Sequence, residues 1–160
     1  CAQARAWIDA GLTDFHVAVN LSARQVEQPE LRAVVLAALA ESGLPPDALV
    51  LEITESVLME CAREPVGILD ELRALGIRLS IDDFGTGYSS LAYLKHLPAD
   101  NLKIDRSFIQ DLADDADAVS IVTGIVALAH SLRMKVVAEG VETAAQKDIL
   151  VRLGCDSLQG

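Results

Sequence analysis

Two adjacent carboxylates stand where a predicted strand gives way to a glycine turn. The segment Leu79–Tyr88 begins with alternating apolar and polar residues, reaches Asp82 and Asp83, and continues at once into a Gly-x-Gly turn. Neighbouring like charges repel each other, so we expect a cation to offset them. A divalent metal ion with oxygen ligands is the simplest candidate. The alternative is a helix N-cap and turn, with Asp83 close to a helix that is predicted to begin near Ser89.

Polar residues also stand where other predicted strands end or are interrupted. These residues are Asn20, Glu52, Lys103 with Asp105, and Glu139. The acidic and amide members offer only oxygen ligands, which favour Mg²⁺ or Mn²⁺ over zinc or copper. For each acid alone, a solvent-exposed loop charge is the simpler interpretation. Their joint placement favours a metal site, and two metal ions about 3.5–4 Å apart suit in-line displacement at phosphorus.

Lys103 lies among these acids, and two roles are open for it. It could orient an attacking water or neutralise charge on a phosphate oxygen. Equally, it could form a structural ion pair with Asp105 or another nearby carboxylate. Glu55 and Glu142 are candidates for residues that anchor a loop beside the site, although a solvent-exposed charge is the favoured interpretation of each.

The turn after Asp83 is interpreted as a mobile active-site loop. Its residues are Phe84, Gly85, Thr86, Gly87, Tyr88, Ser89 and Ser90. Backbone N–H groups at such a helix start can bind phosphate. The loop lacks the Lys-Ser/Thr of a P-loop and the spacing of a dinucleotide-binding motif, so a nucleotide cradle is disfavoured. Ser89 and Ser90 have no His and Asp partner pattern, so nucleophilic serine chemistry is not indicated.

The elements that must position these residues alternate between strands and helices along the chain. The predicted strands are Phe15–Ser22, Leu49–Ser56, Ile77–Asp83, Asn101–Arg106, Met134–Glu142 and Cys155–Gly160. The predicted helices are Ala2–Ala10, Leu31–Ser42, Val66–Leu75, Ser89–Leu97, Ala116–Arg133 and one from a Thr143 cap to Leu153. Such alternation with short connections predicts a parallel α/β sheet with helical crossovers.

An open doubly wound sheet and a barrel both fit this order of elements. A (β/α)8 TIM-type barrel is favoured because the carboxyl ends of all its strands converge on one cavity, where the polar residues would meet. In an open sheet, only the strands at the switch point share a ligand. A full barrel needs about 250 residues, so we expect 160 residues to form a single domain, 1–160, that is a barrel truncated at both ends.

Composition limits the class of protein further. The net charge is −11, which argues against binding of DNA or RNA polymers through their phosphates. The three cysteines show no CxxC motif and no paired histidine, so neither a disulfide framework nor a zinc site is indicated, and a reducing cytoplasmic compartment is expected. No apolar run approaches the roughly 20 residues of a membrane span.

Six sequence blocks together resemble one family. They are Val19–Ser22, Leu51–Glu55, Ile81–Leu91, Leu102–Asp105, Ala138–Glu142 and Leu158–Gly160. In this order, across essentially the whole chain, they resemble the EAL domain, a family of bacterial signal-transduction phosphodiesterases that hydrolyse the second messenger cyclic di-GMP to linear pGpG. The resemblance implies a modified (β/α)8 barrel and a hydrolase with two Mg²⁺ or Mn²⁺ ions per site.

The resemblance also implies roles for individual residues. Asn20, Glu52, Asp82 and Asp83 match metal ligands of the family. Glu139 matches a general base or metal ligand, and Lys103 matches the lysine that holds the attacking water. Asp105 and Gln159 match further active-site positions. Glu55 matches the glutamate that braces the loop from Phe84 to Ser90, which in the family links the metal site to a dimer interface.

One motif of the family is missing from this sequence. The Glu-Ala-Leu motif, whose glutamate is a metal ligand, is expected upstream of Cys1, and truncation is the favoured explanation. The alternatives are an inactive relative that serves as a cyclic di-GMP receptor and a structural module for dimerisation. Family members are often homodimers fused to sensory or diguanylate cyclase domains, so membrane anchoring of the parent protein stays open.

Overall fold

The computed structural model describes residues 1–61, 67–87, 94 and 98–160. Its strands are β1 (Val17–Leu21), β2 (Leu49–Thr54), β3 (Arg78–Phe84), β4 (Asn101–Ile104), β5 (Lys135–Ala138) and β6 (Ser157–Leu158). Its helices are α1 (Ala2–Asp9), α2 (Ala23–Val26), α3 (Leu31–Ser42), α4 (Glu55–Cys61), α5 (Gly67–Ala74), α6 (Ser107–Gln110), α7 (Ala116–Ser131) and α8 (Ala144–Leu153), with a short 3₁₀ helix at Pro46–Ala48. Apart from Leu94, the predicted helix Ser89–Leu97 lies outside the described residues.

The six strands form one parallel sheet in the order of the chain, β1-β2-β3-β4-β5-β6. Crossovers between parallel strands are right-handed, so an order that never doubles back places the helices on one face of the sheet. A doubly wound sheet instead reverses its strand order at a switch point. The described strands therefore have the arrangement of a barrel wall, and the predicted barrel-like fold is confirmed.

The sheet has one apolar face and one polar face because side chains alternate along each strand. Leu51, Ile53, Ile81, Leu102 and Ile104 are at most 2% exposed and pack with buried helix residues in one continuous core. Burying each such side chain stabilises the fold by about 1.5–3 kcal/mol. The helix side therefore anchors the strands, and the opposite side is free to carry polar groups.

The start of α8 shows how local sequence sets the ends of elements. The Thr143 side-chain oxygen accepts a hydrogen bond from the Gln146 backbone N–H at 3.2 Å, and the Gln146 side-chain oxygen accepts one from the Thr143 N–H at 2.9 Å. This reciprocal pair is a capping box, and it satisfies backbone donors that a helix start leaves open. The predicted cap at Thr143 and the predicted end at Leu153 are both confirmed.

The observed strands differ from the predicted ranges at most of their ends, by up to four residues where β5 stops at Ala138, and three further differences at carboxyl ends affect the polar face. β2 ends at Thr54, and Glu55 begins α4 instead of extending the strand. β4 ends at Ile104, so Asp105 lies in the turn before α6 and not on a strand face beside Lys103. β3 continues beyond Asp83 to Phe84, because a bulge accommodates both carboxylates within the strand.

Candidate metal centre

The register of the sheet places several of the predicted site residues on its polar face. Asn20 is the Cα partner of Glu52 across β1 and β2, so both side chains leave the same face. Lys103 is the Cα partner of Val137 across β4 and β5, and Glu139 lies two residues beyond Val137. The carboxyl edge of the sheet therefore gathers polar side chains from separate strands.

A β-bulge near the end of β3 brings two consecutive carboxylates to this edge. Between paired positions, three residue steps on β3 face two on β4. In a regular strand, Asp82 and Asp83 would point to opposite faces. Asp83 has a φ of 53°, in the left-handed region that aspartate tolerates better than most residues. As a result, carboxylate oxygens of Asp82, Asp83 and Glu139 all lie within 4.8 Å of one another.

Lys103 forms ion pairs with three carboxylates at the centre of the site. Its Nζ lies 2.6 Å from Glu139 Oε1, 2.9 Å from Glu52 Oε1 and 3.0 Å from Asp82 Oδ1. Burial opposes the charge on Lys103, which is 7% exposed, but hydrogen bonds to the three carboxylates outweigh it and hold the pKa of Lys103 above its ordinary range. The lysine is therefore a permanent cation and donor, not a base.

Negative charge exceeds positive charge in this cluster. Counted over the described part of the chain, it contains five carboxylates and one ammonium, that of Lys103; the carboxylates are those of Glu52, Asp82, Asp83, Asp105 and Glu139. Burial, and then the charges of Asp82, Asp105 and Glu139, raise the pKa of Asp83. A divalent cation would relieve this repulsion, and an all-oxygen donor set fits a hard metal ion. Asp82, Asp83 and Glu139 together could hold a metal ion.

Asp105 lies at the margin of the cluster and accepts a hydrogen bond from the first residue of the next helix. Its Oδ1 accepts a hydrogen bond from the Ser107 backbone N–H at 3.0 Å. The Ser107 hydrogen bonds lower the pKa of Asp105 against the opposing effect of burial. Asp105 therefore stays ionised beside Asp83, and it adds to the negative potential that a metal ion would experience.

Glu55 lies beneath the loop that follows β3. It is 4% exposed, and its Oε2 accepts a hydrogen bond from the Gly85 backbone N–H at 2.9 Å. A Cβ on Gly87 would lie 3.2 Å from Glu55 Oε1, so the carboxylate contacts the loop at two places. The favoured interpretation of Glu55 as a solvent-exposed charge is wrong, because it begins α4 inside the fold. Glu142, by contrast, is exposed.

The remaining predicted residues lie around this centre or outside the described residues. Gln159 follows β6 and is exposed; its N–H donates to the Ala138 carbonyl at 2.8 Å and its carbonyl accepts from Val141 at 3.0 Å. These bonds place Gln159 beside the Glu139 turn. Asn20 is exposed at the first strand. The loop residues Phe84, Gly85, Thr86 and Gly87 are described, whereas Tyr88, Ser89 and Ser90 lie outside the described residues.

Two residues near the site had no signal in the sequence. Arg106 and Phe108 follow β4, and each touches a glycine beside an acidic residue of the cluster, Gly140 and Gly85 respectively. No spacing or motif could have indicated these contacts, because they join segments more than twenty residues apart. From the sequence alone, Arg106 would be interpreted as a surface charge and Phe108 as a core residue.

Fold and site together define a class of protein. The chain is a parallel barrel-type α/β domain with a cluster of carboxylates that could hold a metal ion and a buried lysine at the carboxyl edge, where such barrels hold their active sites. Within that class, the sequence matches the EAL domain over residues 1–160, and the chain belongs to the EAL domain family.

Individual relatives agree with this assignment. The chain is 55% identical over 160 residues to the bifunctional diguanylate cyclase/cyclic di-GMP phosphodiesterase MucR of Pseudomonas aeruginosa, covering 100% of this chain and 23% of MucR. The MucR phosphodiesterase in complex with cyclic di-GMP matches with a TM-score of 0.94 over 100% of this chain and 65% of that chain, at 55% identity. The EAL domain of Mycobacterium smegmatis DcpA matches with a TM-score of 0.91 at 38% identity, over 100% of this chain and 72% of that chain.

A third solved structure contains a metal ion. Klebsiella pneumoniae BlrP1, as a calcium and cyclic di-GMP complex, matches with a TM-score of 0.83 at 33% identity, over 91% of this chain and 37% of that chain. The chain spans about a fifth of the length of the curated relatives it matches, 23% of MucR and 20% of the next. Among the described residues, no helix has both the length and the apolarity to cross a membrane.

Proposed function

We propose that this chain is part of a metal-dependent phosphodiesterase domain that hydrolyses cyclic di-GMP to linear pGpG. The observation that carries the proposal is the convergence of Glu52, Asp82 and Glu139 on one buried lysine at the carboxyl edge of the sheet, with the Asp83 carboxylate beside those of Asp82 and Glu139. A purely structural role does not account for this arrangement, because clustered carboxylates repel one another and destabilise the fold unless a ligand offsets their charge. Relatives that bind cyclic di-GMP support the choice of substrate.

The ligands that we assign to the metal ions are Asn20, Glu52, Asp82 and Asp83, with Glu139 as a further ligand or the general base. When bound, two Mg²⁺ or Mn²⁺ ions supply Lewis-acid activation of water and stabilise charge on phosphate oxygens. The carboxylates of this site fit that role because they are hard oxygen donors on rigid strand ends. Asp105 and Gln159 flank the same opening and are assigned to substrate contact.

Lys103 and Glu139 have complementary proton roles in this proposal. The raised pKa of Lys103 keeps its ammonium charged. In the structure its N–H donors are taken by Glu52, Asp82 and Glu139, and the donors released when those carboxylates bind metal ions would hold the attacking water and a non-bridging phosphate oxygen. Glu139 lies 2.6 Å from that ammonium and is the acceptor for a proton from the same water. Glu55 holds the loop after β3 through the Gly85 N–H, and so fixes the position of Asp83.

The test is hydrolysis of cyclic di-GMP by the full-length protein that contains this chain. With Mn²⁺ present, we expect linear pGpG as the product by chromatography. Glu52→Gln and Asp82→Asn remove ligand charge and should reduce kcat by roughly 10²-fold or more. Glu41→Gln and Asp148→Asn change exposed acids on α3 and α8 and are matched controls that should retain activity.

The outcomes separate the enzyme from its alternatives. Normal turnover in Glu52→Gln or Asp82→Asn would refute the metal-ligand roles. Tight binding of cyclic di-GMP without product after long incubation in Mn²⁺ would replace the enzyme by a receptor. Absence of heat on calorimetric titration with either metal or nucleotide would leave only a structural role. We further propose that the parent protein is a homodimer with sensory or cyclase-like domains beside this one.

A further inference from the structure

The segment 106–108, which joins β4 to the first turn of α6, touches both glycines that follow the acidic strand ends. A Cβ added to Gly85 would lie 2.7 Å from the Phe108 ring, and a Cβ added to Gly140 would lie 2.7 Å from Arg106 Cβ. Both distances are shorter than any normal contact, so glycine is required at each position. Both glycines also have positive φ, 98° and 69°, which favours glycine independently. The two close contacts are made by one short segment, 106–108.

These two glycines adjoin the carboxylates on opposite sides of the candidate metal centre. Gly85 is two residues from Asp83, and Gly140 directly follows Glu139. The segment 106–108 therefore lies between the β3 loop and the β5 loop, which carry two of the three carboxylates that could hold one metal ion. A change in the size of the side chains at positions 106 and 108 would therefore change the distance between those loops.

The residues that follow this segment are held in place by Gln146 of α8. Gln146 is 5% exposed, and its Nε2 donates to the Ile109 carbonyl at 3.0 Å and to the Gln110 carbonyl at 3.2 Å. Ile109 and Leu112 are at most 1% exposed in the core. Because Gln146 also belongs to the capping box of α8, these hydrogen bonds tie the residues that directly follow segment 106–108 to the start of α8.

We infer that Arg106 and Phe108 are positioning residues that set the separation of Asp83 and Glu139, and through it the affinity of the site for a divalent metal ion. The inference rests on the proposed metal-binding role of those two carboxylates. Neither residue is a ligand. Phe108 acts through its ring carbons Cε2 and Cζ against Gly85, and Arg106 acts through its Cβ against Gly140, as outer groups do when they orient metal ligands.

The experiment is calorimetric titration of the full-length protein with Mn²⁺ in the absence of nucleotide. Phe108→Leu reduces the contact with Gly85, and Phe108→Ala removes it. Loss of a group that orients metal ligands typically weakens metal binding by about 10-fold or more. Phe15→Ala is the matched control, because Phe15 lies away from the site and packs on Trp7, with 5.4 Å between the two ring centroids. Circular dichroism checks the fold of every variant, and Phe108→Leu keeps the test open if Phe108→Ala does not fold.

A second pair of variants isolates one carbon atom. Arg106→Ala and Arg106→Gly both remove the guanidinium charge, but only the glycine variant removes the Cβ that faces Gly140. We expect Arg106→Gly to bind Mn²⁺ several-fold more weakly than Arg106→Ala. Equal affinities in this pair, or a Phe108→Leu affinity equal to that of Phe15→Ala, would overturn the inference while leaving the proposed function intact. Failure of the unaltered protein to bind Mn²⁺ would overturn both.

Discussion

Lys103 shows how one side chain can organise a cluster of acids. Its ammonium contacts a carboxylate from β2, one from β3 and one from the turn after β5. Each carboxylate alone would be repelled by the others, and together they hold the lysine as a cation. The three ion pairs therefore depend on one another, and the loss of Lys103 should affect all of them.

We predict that Lys103→Met destabilises the fold by about 2–3 kcal/mol. Removing one member of a buried ion pair costs about 3–5 kcal/mol, and the value is smaller here because the three acids keep 12–19% of their side-chain surface exposed. Urea unfolding measures the free energy. Saturating Mn²⁺ should restore most of the loss, since a divalent ion replaces the missing charge, whereas matched NaCl should not. An unchanged unfolding free energy without metal would contradict this account.

Asp83 marks the limit of what single residues reveal. The pair Asp82–Asp83 indicated a metal site from charge and position alone, and the structure brings both carboxylates together. The way it does so was not predictable, because the period-two rule for strands sends neighbours to opposite faces. The bulge depends on pairing with β4, eighteen or more residues away. The bulge therefore depends on tertiary structure, and no local sequence pattern predicts it.

Among the elements, the amino ends of β4 and β6 use the same stabilising arrangement. Asp100 precedes β4, and its carboxylate accepts hydrogen bonds from the Leu79 N–H at 2.9 Å and from Arg73 at 3.1 Å. Asp156 precedes β6, and its Oδ2 accepts from the Val136 N–H at 2.8 Å and pairs with His130 Nε2 at 2.9 Å. Each aspartate thus ties its strand to the neighbouring strand and to the helix that precedes that neighbour.

We predict that Asp156 contributes stability that is lost in acid. Burial opposes its ionisation, but hydrogen bonds with His130 and the Val136 N–H outweigh burial and lower its pKa from the ordinary 3.8. A lowered pKa stabilises the fold above the unfolded value and loses that contribution as the pH falls through the folded value. Asp156→Asn should therefore be less stable at pH 6, and its difference from the unaltered protein should shrink as the pH falls below 3.8. Parallel curves from pH 6 to pH 3, by urea unfolding, would contradict this.

The elements themselves were largely predictable from hydrophobic period and helix-end signals. Helix Leu31–Ser42 matches its predicted bounds, and the cap of α8 at Thr143 matches as well. The errors fall at strand ends, where Glu55 begins a helix and Asp105 begins a turn, and at the short helices α2, α4 and α6, which were not predicted. Both residues bond to backbone N–H groups of a nearby turn or loop, and such bonds compete with strand extension in a way that periodicity does not encode.

For the whole molecule, with its net charge of −11, added salt can act in two ways, by screening charges and by binding at a specific site. Monovalent salt screens the general repulsion between acids and should stabilise the fold modestly and gradually. A divalent ion that binds only the folded protein stabilises it by RT ln(1 + [L]/Kd), which is about 2.7 kcal/mol at 100 times Kd. The second effect saturates and depends on particular side chains, so the two are experimentally distinct.

We predict that millimolar Mn²⁺ raises the Tm of the full-length protein and that EDTA reverses the increase, at constant ionic strength. Glu52→Gln with Asp82→Asn should abolish the Mn²⁺ effect and preserve the gradual response to NaCl, because the rest of the acidic surface is unchanged. Glu41→Gln with Asp148→Asn removes the same amount of charge at exposed helix positions and should preserve both responses. If this control pair lost the Mn²⁺ effect equally, the stabilisation would come from the overall charge and not from the converging strand ends.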